Sequence, residues 1–82
     1  MEREPTFTLR LRADQPRCLV VFEPLGTWYD LSDDDEVLVH GYGRSTRSED
    51  ADVEVIHTAE KVELWLAVEY RAWNKAGIEL PV

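Results

Sequence analysis

The chain has 82 residues, of which 44% are hydrophobic and 32% charged, and a formal net charge of −8. That length reads as one domain, residues 1–82, with a thin stability margin, because a chain this short buries only about 60% of its unfolded surface. The apolar share excludes wholesale disorder, the lone cysteine excludes a disulfide framework, and no apolar run approaches the ~20 residues a bilayer span requires.

The charge is unevenly spread. Through Arg17 four arginines stand against three acids, and from Cys18 onward five basic residues stand against fourteen acidic ones. Nucleic-acid binding depends on Lys and Arg displacing counterions, so no nucleic-acid partner is expected. An acidic surface serves solubility or a basic protein partner. Met1-Glu2-Arg3-Glu4-Pro5 is polar and lacks the apolar stretch of a signal peptide, so the expectation is a cytoplasmic protein with no membrane partner.

Taken in order, Thr6–Ala13 alternates, with Phe7, Leu9 and Leu11 on one face and Thr8, Arg10 and Arg12 on the other. A period of two marks a strand with one buried face. Asp14-Gln15-Pro16 reads as a turn. Arg17–Glu23 follows as the densest apolar stretch, Cys18 to Phe22, with apolar residues on both faces. It is expected to be a central strand, or an edge covered by a loop. Pro24 cannot donate to a ladder and ends it, and Gly26 permits the reversal into a short strand over Thr27–Leu31.

Ser32-Asp33-Asp34-Asp35 reads as an acidic turn, Glu36–Tyr42 as a strand, residues 43–50 as the longest loop and Asp52–His57 as a further strand. Thr58–Lys61 turns the chain. Val62–Tyr70 supports two readings. As a strand it points Val62, Leu64, Leu66, Val68 and Tyr70 inward, leaving Trp65 on an otherwise polar outer face. As a helix it groups Val62, Trp65, Leu66, Trp73 and Ala76, with Gly77 as a stop. The surroundings are all strand, and the strand is preferred. Asn74-Lys75-Ala76-Gly77 then closes a hairpin onto Ile78-Glu79-Leu80. Six to eight short strands at this spacing predict an all-β fold, a small antiparallel β-sandwich or a barrel-like domain.

The stretch Phe22-Glu23-Pro24-Leu25-Gly26-Thr27-Trp28-Tyr29-Asp30-Leu31 resembles a segment of short bacterial proteins of unknown function, in which an apolar strand is followed by Glu-Pro-x-Gly, an aromatic and a Leu. The tail, Val62-Glu63-Leu64-Trp65 with Trp73 to Leu80, is similar as well. The resemblance implies a small β-sandwich and supplies no activity, so no residue role follows from it.

Candidate chemistry is sparse. His40, His57 and Cys18 are metal-ligand types, but no two sit at a ligand spacing such as H-x-H or C-x-x-C. Asp30, Asp33, Asp34, Asp35 and Glu36 fail the EF-hand pattern, which needs Gly at the sixth position and Glu at the twelfth. Gly41-Tyr42-Gly43-Arg44 lacks the Lys-Ser/Thr of a phosphate loop. Arg44 and Arg47 with Ser45, Thr46 and Ser48 could hold an anion or be an ordinary loop. Cys18, in an apolar strand with no adjacent base, is a poor nucleophile.

No catalytic, cofactor-binding or metal-binding residue is therefore assigned, and no cofactor is expected. The aromatics lead instead. Trp65, Trp28 and Trp73 are candidate interface anchors, or else residues under a second sheet or a loop. The expected function is a non-enzymatic protein-interaction module that self-associates as a homodimer through an edge strand or the Trp65 face. Two alternatives stand beside it. One is a cupin-like or barrel-like metal or small-molecule binder using the space between sheets near His40 and Tyr42. The other is an acidic inhibitor or immunity-type partner of a basic protein.

Overall fold

A computed structural model describes residues 3–14, 17–32, 35–44 and 51–82. Among the described residues it is all-β, with strands β1 (Phe7–Arg12), β2 (Arg17–Glu23), β3 (Thr27–Ser32), β4 (Glu36–Tyr42), β5 (Val53–His57), β6 (Lys61–Leu66), β7 (Glu69–Asn74) and β8 (Glu79–Leu80). One sheet has the order β1-β4-β7-β8 and the other β3-β2-β6-β5. The chain changes sheet between β1 and β2, β3 and β4, β4 and β5, and β6 and β7.

Two expectations are corrected. The sandwich is not wholly antiparallel, because β2 runs parallel to β6 with Val20 opposite Val62 and Phe22 opposite Leu64. The segment expected as one strand over Val62–Tyr70 is two, in different sheets, with a corner at Ala67-Val68 and no helix. The Ala67 N–H donates to the Asp52 carbonyl at 3.0 Å and fixes the corner to the start of β5. Side-chain parity survives it: Leu64 and Leu66 before the corner and Ala72 after it are all buried.

The core lies between the sheets. Val20, Phe22, Leu64 and Leu66 from one meet Val37, Val39 and Ala72 from the other. Phe22 stacks on Tyr70 across the gap, at 5.8 Å between centroids and 8° between planes. The shortest dimension is 18 Å, as fits two twisted sheets packed about 10 Å apart. β2 is central, as its apolar run implies, but only its inner face enters the core. Leu19 and Val21 lie on the outer face, where Val21 is shielded by its neighbours on the same sheet surface.

Turn chemistry follows the sequence. The Gly26 N–H donates to the Phe22 carbonyl at 2.8 Å, closing the β2–β3 hairpin. Thr58 Oγ1 accepts from the Glu60 and Lys61 amides before β6. The Asn74–Gly77 turn closes the β7–β8 hairpin through a Gly77 N–H to Asn74 carbonyl bond of 3.0 Å, and Asn74 Oδ1 accepts from the Ile78 amide. The Asp14-Gln15-Pro16 and Ser32–Asp35 turns fall partly, and residues 45–50 of the long loop wholly, outside the described residues. No helix of the described residues is long and apolar enough to cross a membrane.

Candidate functional site

The outer face of the β3-β2-β6-β5 sheet carries three exposed large apolar residues, Trp28, Ile56 and Trp65. Strand register orders it in rows. Glu54 of β5, Trp65 of β6 and Glu23 of β2 stand directly opposite one another in one row. Ile56, Glu63, Val21 and Trp28 form the next, crossing all four strands. Lys61, Leu19 and Asp30 form the third. Trp28 is 61% exposed and Trp65 41%. Both indoles therefore lie in solvent on one sheet surface, as the outward parity of Trp65 implies.

The charges on this face are partly spoken for. Arg17 pairs with Asp30 at 3.3 Å and Lys61 with Glu63 at 3.0 Å. Trp65 Nε1–H donates to Glu63 Oε1 at 3.0 Å, which fixes the indole edge toward the neighbouring row. That bond, followed by the contact with Lys61, holds the Glu63 carboxyl below the ordinary glutamate range. Glu23 and Glu54, on either side of Trp65, make no ion pair with any described residue. Beside them a cleft of about 410 Å³ runs between Pro24, Ala51, Trp65 and Ala67.

Trp73 belongs elsewhere. It sits on the outer face of the β1-β4-β7-β8 sheet, edge-on to His40 at 4.7 Å and beneath the Arg71 guanidinium at 5.3 Å. Arg71 is held in turn by Glu79, and this pairing pushes the guanidinium pKa further up. Tyr42 is buried on the same face under Arg3, whose guanidinium lies 4.6 Å from the ring centroid and pairs with Glu69. The three tryptophans therefore form no single surface.

His40 and Tyr42, expected to line a space between the sheets, face outward instead. Both residues share the parity of Leu38 and Trp73 on the outward side of β4 and β7, and apolar side chains fill the space between the sheets. An open hollow of about 790 Å³ does lie outside them, beneath residues 3–5. His57 is exposed at the end of β5, and Cys18 is half-buried against the core from β2. His40, His57 and Cys18 do not converge, and among the described residues no three of His, Cys, Asp and Glu stand close enough to share a metal ion.

The acidic stretch is dispersed as well. Asp35 accepts from the Ser32 amide at 3.0 Å and the Ser32 hydroxyl at 2.7 Å, and those bonds draw its pKa down. Glu36 faces Arg10 at 4.0 Å. Asp33, Asp34 and the Ser45–Ser48 anion candidate lie outside the described residues, and Arg44 is exposed.

Sequence reasoning missed the edge of β5, which pairs only with β6 among the described residues and where Val55 is 48% and Ile56 38% exposed. It also missed the Glu54-Trp65-Glu23 row. Parity places each of these residues outward, but only the parallel pairing of β2 with β6 brings the three together. No family model, curated protein or solved structure matches this chain.

Proposed function

We propose that the domain is a non-catalytic protein-interaction module that self-associates through the free edge of β5. The observation that supports this reading is the exposure of that strand on both faces. Val55 points to the core side and Ile56 to the outer side, and each is more than a third exposed. An edge strand with exposed apolar residues and unpaired backbone groups is a template for another strand, which native proteins blunt with charge or proline. Within β5 the only acid is Glu54, and there is no Pro.

An antiparallel pair of β5 strands centred on Val55 places Val55 against its copy, Glu54 against Ile56 of the second copy, and Val53 against His57 of the second copy. No like charges meet, and both apolar positions become covered. The added ladder extends the sheet from four strands to eight, which suits a small domain with little core to spare.

Light scattering after size exclusion, across a dilution series, tests the reading. The wild type is expected as a dimer and Val55→Lys as a monomer of unchanged circular dichroism. A monomeric wild type at high micromolar concentration, or a folded Val55→Lys that stays dimeric, refutes it.

A further inference from the structure

We propose that the outer face of the β3-β2-β6-β5 sheet docks a basic segment of a second protein, with an Arg or Lys side chain of that segment seated over Trp65 between Glu23 and Glu54. This goes beyond self-association through β5, because it concerns a different surface and a partner of different composition.

Three observations carry it. First, Glu23 and Glu54 occupy the positions directly opposite Trp65 on its two neighbouring strands. Their backbones are therefore about 9–10 Å apart, two strand spacings, with the backbone of Trp65 midway. A cation seated over the ring in this row is flanked by a glutamate on each neighbouring strand, so the aromatic face and two acids attract the same group. Second, the other acids of these rows, Asp30 and Glu63, are already paired within the face, whereas Glu23 and Glu54 meet no described cation. The face thus presents uncompensated negative charge at the row that carries its exposed Trp. Third, the next row carries the exposed Trp28 and Ile56, and the cleft beside Trp65 is walled by Pro24 and Ala67. A partner with apolar residues flanking its Arg or Lys finds apolar surface for the first and charge for the second.

Charge complementarity selects the occupant. A second copy set face to face brings its own Glu23 and Glu54 against these two carboxylates, and an acidic or neutral apolar partner leaves them facing nothing. A basic amphipathic segment satisfies both halves of the surface. Its binding is expected to weaken with salt, as screened charge contacts do.

The test uses the whole protein and a fluorescein-labelled twelve-residue peptide of alternating Arg and Val, with anisotropy as the readout. Expected are saturable binding by the wild type and at least a tenfold weaker Kd for the Glu23→Gln/Glu54→Gln double variant. A similar loss is expected for Trp65→Ser, and little binding of a Gln/Val peptide. The control variant Glu4→Gln/Asp14→Asn removes the same charge from exposed positions off this face, and should bind as the wild type does. Equal loss in the control and in the Glu23/Glu54 variant would mean bulk charge alone and overturns the proposal. So does absence of peptide binding by the wild type. So does dissociation of a wild-type dimer by Trp65→Ser, which would assign the face to a second copy. Val55→Lys separates the two readings, since a monomer that still binds the peptide leaves this one standing.

Discussion

The ring of Phe7 occupies the space that a side chain on Gly41 would need. The two residues are directly opposite on β1 and β4, and a Cβ built at position 41 would collide with the Phe7 ring carbons. The glycine leaves room for an aromatic ring from the neighbouring strand, a cross-strand arrangement that pins register. Gly41→Ala is expected to destabilise the fold by about 1–3 kcal/mol, the usual cost of overpacking a filled site. Urea denaturation measures it. Phe7→Leu in the Gly41→Ala background should recover part of the loss, and an alanine variant as stable as the wild type would refute the packing argument.

Gly77 is constrained differently. Its φ is +84°, and a Cβ there would meet nothing within 4 Å. The penalty for Gly77→Ala is therefore purely one of backbone conformation, about 1 kcal/mol, and Gly77→Asn should cost less because Asn tolerates the left-handed region. Thermal melts of the two variants check the order.

Tyr70 carries a hydroxyl that is buried without a hydrogen-bond partner among the described residues. Burial, and then the nearby Tyr29, push its pKa above the ordinary tyrosine value. Tyr70→Phe keeps the stack on Phe22 and removes the unpaired group, so it should raise stability by about 1 kcal/mol, the low end of the cost of an unmatched hydroxyl. Tyr70→Leu keeps neither hydroxyl nor stack and should lower it. Parallel urea titrations of the two variants decide the point.

Glu63 has its pKa lowered in the folded protein, first by the Trp65 indole N–H and then by Lys61. A carboxyl lowered on folding contributes stability that is present above its unfolded value, about 4.3, and is lost as pH falls through the folded value. Asp35, lowered by Ser32, has the same sign. Glu63→Gln should therefore lower stability at pH 7 more than at pH 3. Both groups are solvent-facing, so the difference is small and is best read as a change in the slope of Tm against pH below about pH 5.

Much of the fold is legible in the residues, and the reasons are local. Arg17–Glu23 and Glu36–Tyr42 have the strand bounds the sequence implies, because Pro24 and the acidic turn punctuate them. The Asn74–Gly77 hairpin is legible from its turn chemistry. The break at Ala67-Val68 is not, since it contains neither Gly nor Pro and the alternation of apolar residues runs through it unchanged. The parallel pairing of β2 with β6 is a long-range relation with no local signature, and the Trp65 row depends on it. Trp65 and Trp28 are legible as outward aromatics. That Trp73 faces away from both follows only from its lying on the far side of the sheet change.

The corner at Ala67-Val68 also sets a reading frame for everything after it. The side chains alternate in step from Leu64 to Ala72 although the ribbon passes from one layer to the other. One residue inserted there would turn Tyr70 and Ala72 outward and Arg71 and Trp73 into the core, whereas two inserted residues would restore the phase. Length variation at this point is therefore tolerable only in even steps, while the Thr58–Lys61 and Asn74–Gly77 turns can absorb single residues by changing turn type.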